Sequence, residues 1–240
     1  MGTLEQPPGM KTLARLFLEQ GQSFGSLLPW HASKNFYHWL VAESLLRRTT
    51  RTAARKAFQT LIEAYPTWQA LAAAPEEEIA RKIAWTGLGN QRSKHLKALA
   101  RSLIERGGEN PPCTREALLK LPGVGHYIAD AVLLYACGKK AFPIDSNVQR
   151  VFRRVMGLPV PKGTRHSDPY LDPLVKAAVE KIMRLHSQAT LVHIHRGILR
   201  IVWETCRPRP NCASCALHPS WPLPEWHSVK PETESKSRRC

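Results

Sequence analysis

The chain has 240 residues, and its 35 lysines and arginines against 19 aspartates and glutamates give a formal net charge of +16. Hydrophobic residues make up 43% of the chain, a share typical of globular proteins that argues against global disorder. No uncharged apolar run approaches the roughly 18 residues that span a bilayer, and segment 1–20 lacks the layout of a signal peptide, so we expect a cytoplasmic protein with no membrane partner.

Helical periodicity recurs along the chain while strand-like alternation is rare, so the sequence predicts an all-α fold. Pro75 followed by three glutamates is typical of a helix start, and Gly107-Gly108 of a helix end. Segment 158–173 carries three prolines before its last residue and is predicted as a loop. The predicted helices are 35–48, 52–65, 75–87, 93–106, 114–120, 126–137, 145–156, 170–186 and 188–205.

The excess of basic charge has two explanations, solubility or a polyanionic partner. Lysines and arginines on one face release counterions from DNA or RNA phosphates, which gives a charge of this size a function. The basic residues are not gathered on one amphipathic helix, so a membrane surface is the weaker interpretation. We therefore favour a nucleic-acid-binding protein over one that is merely cationic.

A glycine-rich turn, Leu121-Pro122-Gly123-Val124-Gly125, joins two predicted helices. The glycines permit a tight turn and a close approach of the backbone to a ligand. The free amides at the start of the second helix suit a DNA phosphate, without reading its sequence. An ordinary connection between two helices explains the same residues, so this segment by itself is a weak signal.

Two carboxylates have apolar neighbours. Asp145 follows Phe142-Pro143-Ile144 at a predicted helix start, where a plain N-cap is the simplest explanation. Glu43 lies inside the apolar segment 39–46 and faces solvent if that helix exposes one stripe. If Glu43 is buried, its pKa should rise, which would suit it to proton transfer.

The hairpin followed at this spacing by Asp145 resembles the helix-hairpin-helix DNA glycosylases of the endonuclease III superfamily. Four further segments are similar to the mismatch-specific thymine DNA glycosylase branch of that superfamily. They are 42–50, 86–92, 138–141 and the Pro29-Trp30 pair. The resemblance extends over about residues 11 to 220.

The resemblance implies a two-lobed all-α fold with the active cleft between the lobes. A six-helix barrel with the hairpin would occupy 34–141. A second lobe would combine 1–33 with 142–227 and carry the Cys-rich loop 206–221, leaving 228–240 as a mobile tail. The implied partner is double-stranded DNA with a mispaired or damaged base, bound by a monomer in the cytoplasm at the nucleoid.

The resemblance also assigns the chemistry to three residues. Asp145 would stabilise the oxocarbenium-like sugar and position water, as carboxylates do in glycoside hydrolysis. Glu43 would lie in the pocket that receives the extruded base. Tyr127 stands where lyase members carry a Schiff-base lysine, so we expect hydrolysis without lyase activity.

DNA binding falls to two further groups of residues in the same resemblance. The hairpin residues Leu121, Gly123, Val124 and Gly125 would hold one phosphate. Loop residues would fill the gap left by the extruded base, although arginines in a basic protein more often contact phosphate. The residues in this second group are Arg47, Arg48, Leu88, Asn90 and Gln91.

Four of the six cysteines lie in the last 35 residues, a clustering that favours metal over disulfides in the cytosol. By resemblance, Cys206, Cys212 and Cys215 match a [4Fe–4S] loop, with Trp221 where the fourth cysteine belongs. His218 or Cys240 is a candidate fourth ligand, and a zinc site or a lost cluster remains an alternative.

The other two cysteines, Cys113 and Cys137, are isolated in the sequence. We expect both to be small, buried apolar residues.

The resemblance implies a monofunctional DNA glycosylase of base excision repair that removes thymine or uracil mispaired with guanine. One alternative is an adenine glycosylase acting opposite 8-oxoguanine, although those enzymes resemble longer chains with a further C-terminal domain. Another is a catalytically silent DNA-binding protein on the same scaffold. The presence of both Glu43 and Asp145 argues against a silent protein.

Overall fold

The computed structural model describes residues 9–24, 28–47, 49–107, 112–158 and 168–217, and in these ranges it contains helices and no strand. The predicted all-α class is confirmed. None of the described helices combines the length and the apolar character that a bilayer crossing would need. The α-helices are α1 (Met10–Gln22), α2 (Phe36–Leu46), α3 (Arg51–Ala64), α4 (Trp68–Ala73), α5 (Glu76–Lys82), α6 (Gly89–Glu105), α7 (Arg115–Leu119), α8 (His126–Tyr135), α9 (Ser146–Val155), α10 (Pro173–Leu185) and α11 (Gln188–Glu204).

Two helices, α1 and α4, were not predicted, and the bounds of the predicted helices differ most between α5 and α6. The helix predicted over 75–87 ends at Lys82, and a 3₁₀ turn, Ala84–Thr86, follows it. Leu88 has a left-handed backbone (φ 58°) and is the N-cap of α6, which begins four residues before the predicted start at Ser93. The predicted break between the two helices is therefore present, and only its bounds differ.

The two central helices are α2 and α8, which contact each other. Nine of the eleven residues of α2 are buried, so this helix has no solvent-facing stripe and lies inside the molecule. In α8, every residue from Ile128 to Tyr135 is buried. Helices α3 and α6 pack on α2, α4 and α5 pack on α6, α5 also contacts α3, and α7 packs against α8.

Helices from both ends of the described chain pack together, because α1 lies along α11. Their backbones touch at two glycines. A Cβ on Gly21 would stand 1.8 Å from the carbonyl oxygen of His193, and one on Gly197 would stand 1.8 Å from that of Phe17. Helix α11 also contacts α8 and α9. The exact lobe limits at 34–141 and 142–227 stay predictions.

Cys113 and Cys137 form a disulfide, with their Cα atoms 5.7 Å apart. The prediction of two isolated, buried cysteines was therefore wrong, and both residues are only partly buried. Helix α7, the hairpin and α8 fold back on themselves. This brings the segment before α7 next to the end of α8, and no local pattern could indicate that pairing.

The glycine contact between α1 and α11 gives a stability prediction. We expect Gly21→Ala to lower the free energy of unfolding by about 2–3 kcal/mol, because the added methyl group meets backbone that cannot rotate away. Gly9→Ala is the control, since nothing lies within 4 Å of its Cβ position, and should cost less than about 1 kcal/mol. Urea unfolding followed by circular dichroism measures both. Equal midpoints for the two variants would contradict the contact.

Candidate active site

A cleft with a volume of about 1050 Å³ opens between α2 and α8 on one side and α9 and α11 on the other. It brings together three residues that the sequence analysis selected, Glu43, Tyr127 and Asp145. Seven further aromatic or imidazole side chains line it: His31, Trp39, His126, Tyr135, Tyr170, His195 and Trp203.

Glu43 is buried, with 5% of its surface exposed, because α2 is enclosed by its neighbours. Burial raises the pKa of this carboxyl to about 8, and the negative charge of Asp145 adds to the shift. Glu43 is therefore mostly protonated at neutral pH and can donate a hydrogen bond or a proton. The solvent-facing alternative does not apply.

Asp145 caps α9 and also faces the cleft. One carboxylate oxygen, Oδ1, accepts from the backbone amides of Asn147 (2.9 Å) and Val148 (2.8 Å). The other, Oδ2, accepts from the side-chain amide of Asn147 at 2.7 Å. These three bonds fix the orientation of the carboxylate, so the capping role and a role in the cleft are compatible.

Tyr127 is the second residue of α8, and its side chain lines the cleft. Burial raises the pKa of its phenol, and the charges of Glu43 and Asp145 raise it further. The hydroxyl is thus close enough to both carboxyl groups to interact with them, and it stays protonated. No amine stands at this position.

A buried network supports the segment that leads into Asp145. The Tyr170 hydroxyl accepts from the backbone amide of Ile144 (3.1 Å) and donates to Asp130 (2.7 Å). Asp130 has 1% of its side chain exposed and forms an ion pair with Arg115. The sequence analysis missed all of these residues, because Tyr170 lies 26 residues from Ile144 and 40 from Asp130.

The hairpin packs onto α6. Gly123 has φ 69°, a conformation suited to glycine, and a Cβ there would lie 1.8 Å from a ring carbon of His95. Gly125 is the N-cap of α8 and provides no side-chain capping bond, so the first amides of that helix are open toward the cleft. Val124 and Leu121 are buried. Leu121 therefore supports the turn by packing, whereas Gly123, Val124 and Gly125 line the cleft.

The rim of the cleft is formed by two loops that Arg92 ties together. Its guanidinium donates to the carbonyls of Ser44 (3.1 Å) and Leu45 (2.7 Å) at the end of α2, and to that of Gly87 (3.1 Å). It also donates to the carbonyl of Arg47, which is exposed and lines the cleft. Arg92 thereby satisfies carbonyls that the end of α2 leaves open.

The predicted gap-filling residues occupy different positions. Leu88 is 48% exposed, and its backbone is left-handed. For any residue other than glycine this conformation is unfavourable by an energy of order 1 kcal/mol. Asn90 and Gln91 are exposed in the first turn of α6 rather than on a loop, which corrects that expectation. Arg48 lies outside the described residues.

The inner wall of the cleft was not found by sequence reasoning. His31 stacks on Trp39 (ring centroids 5.6 Å apart) and on Tyr135 (6.1 Å). Burial lowers the pKa of His31 to about 3, with a smaller effect from the charge of Arg196. The available signal was the spacing of His195, Leu199 and Trp203 along α11, which is that of one helix face.

Cys206, Cys212 and Cys215 line a second, small cavity of about 40 Å³. Arg154 donates to the Cys206 sulfur at 3.3 Å. Burial raises the pKa of the Cys212 thiol, followed by the charges of Cys215 and Cys206. Three thiols therefore line one cavity.

The described residues nevertheless contain no group of three or more metal-binding side chains arranged as a metal site. The predicted fourth ligands, His218 and Cys240, and the residue Trp221 lie outside the described residues. The described residues thus provide three cysteines and no fourth ligand, and no catalytic step depends on this site.

Comparison with known proteins agrees with the fold and the hairpin. Residues 41–168 match the model of the family described as HhH-GPD superfamily base excision DNA repair protein. A thymine-DNA glycosylase of Aeropyrum pernix is 34% identical over 211 residues, which cover 87% of this chain and 92% of that protein.

Two solved structures are also similar. A thermostable thymine-DNA glycosylase superposes with a TM-score of 0.76 at 32% identity, covering 89% of this chain and 95% of that chain. A trapped endonuclease III–DNA covalent intermediate superposes with a TM-score of 0.72 at 22% identity, covering 92% of this chain and 100% of that chain, which supports the fold alone. The chain therefore belongs to the HhH-GPD superfamily of base excision DNA repair proteins.

Proposed function

We propose that this protein is a monofunctional DNA glycosylase that hydrolyses the N-glycosidic bond of thymine or uracil mispaired with guanine in double-stranded DNA. The observation that carries the proposal is the pair of carboxyl groups in one cleft, a protonated Glu43 beside a fixed Asp145. The similarity to a thymine-DNA glycosylase along most of both chains supports the choice of base.

Binding begins with charge. A net charge of +16 attracts duplex DNA, and the open amides at the start of α8 donate hydrogen bonds to one phosphate oxygen of its backbone. The target base leaves the stack and enters the cleft, which costs less at a mismatch than at a normal pair. Leu88, exposed at the rim, would occupy the space left in the duplex, and Arg47 would contact the backbone or the opposing base.

Bond cleavage then uses both carboxyl groups. As the bond between C1′ and the base nitrogen breaks, its electron pair goes to the base, and positive charge develops on the sugar. The Asp145 carboxylate stabilises that charge and accepts a proton from the water that attacks C1′. Glu43 donates its proton to the departing base, so the base leaves as a neutral molecule.

Strand cleavage is not part of this reaction. A lyase needs an amine that attacks C1′ and forms a Schiff base. Tyr127 has no amine, and its phenol stays protonated beside the two carboxyl groups. The expected product is therefore an intact abasic site.

Cys206, Cys212 and Cys215, which line one cavity, would hold an iron–sulfur cluster, with a fourth ligand from outside the described residues. Such a cluster would order the loop that follows α11. Arg154 supports the same loop, since it donates to the Cys206 sulfur and to the Arg207 carbonyl. Iron and sulfide analysis of the anaerobically purified protein tests this assignment. We expect iron and acid-labile sulfide; zinc alone, or an active protein free of metal, would refute the cluster.

Substrate choice is tested with a panel of duplexes carrying T:G, U:G, adenine opposite 8-oxoguanine, and hypoxanthine. We expect excision of thymine and uracil opposite guanine, and strand breaks only after alkali. Excision of adenine opposite 8-oxoguanine with no T:G or U:G activity would refute the choice of base. Breaks without alkali would refute the monofunctional assignment.

The Asp145 prediction separates chemistry from capping. Asp145→Asn should keep the fold and DNA binding, because asparagine caps a helix as well as aspartate does. It should lose about 100- to 1000-fold in single-turnover excision, because the charge that stabilises the sugar cation is gone. Asp172→Asn is the matched control, since Asp172 caps α10 and does not line the cleft. Near-normal excision by Asp145→Asn would mean that Asp145 is only a cap.

The pKa of Glu43 gives a pH prediction. Its protonated form prevails below pH 8, so excision should be flat on the acidic side and fall about tenfold per pH unit above about 8. Glu43→Gln cannot donate a proton, so its excision should be lower at every pH and show no bend near pH 8. A wild-type profile that rises through pH 8, or a bend that persists in Glu43→Gln, would contradict the acid role.

A further inference from the structure

The segment that leads into Asp145 depends on a single hydrogen bond. Residues 141–144 lie between α8 and α9 and belong to neither helix. Within the part of the chain that the structure describes, the amide of Ile144 is the only backbone group of this segment that forms a hydrogen bond. Its acceptor is the Tyr170 hydroxyl, at 3.1 Å. Ile144 is buried, so without that hydroxyl its amide would be left unpaired.

The direction of each hydrogen bond around Tyr170 follows from the groups involved. A backbone amide only donates, so the Tyr170 oxygen accepts from Ile144 and the hydroxyl proton goes to Asp130, whose Oδ2 is 2.7 Å away. The other oxygen of Asp130 accepts from Arg115, with which it forms an ion pair. Burial raises the pKa of Asp130, and the hydrogen bond from Tyr170 and the charge of Arg115 oppose that shift. The hydroxyl is thus held between one donor and one acceptor.

Asp130 connects this hydroxyl to α8. It lies three residues after Tyr127, so the two residues are neighbours on one face of that helix. The hydrogen bonds from Ile144 to Tyr170 and from Tyr170 to Asp130 therefore join the same face to the residue before Asp145. Tyr127 and Asp145 both line the cleft. The Tyr170 hydroxyl thus helps to set the distance between Asp145 and α8.

We propose that Tyr170 is a positioning residue for excision, which holds Asp145 at the distance from α8 that the reaction needs. This inference rests on the proposed function, because it concerns the step in which Asp145 acts. The amides and the side chain at the start of α9 fix the direction of the carboxylate. Tyr170 fixes the segment in front of it. A misplacement of about 1 Å at a reacting group costs on the order of 100-fold in rate, so a small displacement is measurable.

The test uses Tyr170→Phe, which removes only the hydroxyl. We expect single-turnover excision at saturating protein to fall about 10-fold, because Ile144 loses its acceptor and Asp145 is less well placed. The Kd for a duplex with a non-hydrolysable 2′-fluoro-deoxyuridine opposite guanine should stay within about twofold, because the role concerns the reaction and not binding. Wild-type excision by Tyr170→Phe would overturn the proposal.

Tyr37→Phe is the matched control. The Tyr37 hydroxyl donates to the backbone carbonyl of Tyr65, and this residue is buried and does not line the cleft. The variant therefore loses a buried hydrogen bond to the backbone, as Tyr170→Phe does. It should lower the midpoint of urea unfolding and leave excision unchanged. An equal loss of excision in both variants would mean that lower stability alone explains the effect.

A double-mutant cycle with Asp145 separates positioning from a direct contact with the substrate. If Tyr170 acts through Asp145, adding Tyr170→Phe to Asp145→Asn should change excision by less than about twofold. The same factor of loss in both backgrounds would show that Tyr170 acts independently of Asp145, and would refute the positioning role.

A second variant covers the case in which Tyr170→Phe does not fold. An ester in place of the peptide bond between Pro143 and Ile144 removes the amide donor. It leaves every side chain and the hydrogen bond from Tyr170 to Asp130 in place. The loss of excision should equal that expected for Tyr170→Phe, and normal excision by the ester variant would contradict the proposal.

The two proposals fail in different ways. Excision is measured on the duplex from the substrate panel that the wild type processes fastest. If that duplex carries adenine opposite 8-oxoguanine, the proposed choice of base falls and the cycle still tests Tyr170. If the wild type releases no base from any duplex, both proposals fall. If only the cycle fails, the proposed function stands.

Discussion

The contact between α1 and α11 determines where one wall of the cleft stands. At Gly21 and Gly197 the two helix backbones touch, and a single methyl group at either position would force them apart. His195 is two residues from Gly197 on α11, so the depth to which that helix packs also sets the distance of this side chain from α2 and α8. The close packing of α1 on α11 therefore also fixes the position of the α11 wall of the cleft.

Burial divides the two carboxyl groups of the cleft into different states. Glu43 sits on an enclosed helix, and the nearby charge of Asp145 adds to the burial that keeps it protonated. Asp145 stands at a helix start, where three amide donors hold its oxygens. Two groups with the same chemistry can therefore act as acid and as charge stabiliser, because their surroundings differ. Tyr127, close to both, adds no charge and no amine.

The rim depends on Arg92 in a comparable way. This one buried side chain binds carbonyls at the end of α2 and in the turn before α6, so two loops distant in sequence hold one position. Leu88, which is exposed and has a strained backbone, lies next to the hydrogen bonds that Arg92 donates. Strain of that kind persists only where the surrounding structure enforces it, which is consistent with a leucine presented to a partner.

The sequence by itself determined the all-α class, nine of the helices, the hairpin and the family, because periodicity, capping and motif spacing are local properties that survive without a fold, but it missed α1 and α4. It also selected Glu43 and Asp145 as candidates, although their roles stay predictions. Only the tertiary structure decided that Glu43 is buried, that Cys113 pairs with Cys137, and that Tyr135 and His195 share a hydrogen bond. Each of these depends on groups brought together from distant parts of the chain, 24 residues apart for the disulfide and 60 for the hydrogen bond between Tyr135 and His195. Burial and long-range partners set protonation and pairing, and neither is encoded in the residues adjacent in sequence.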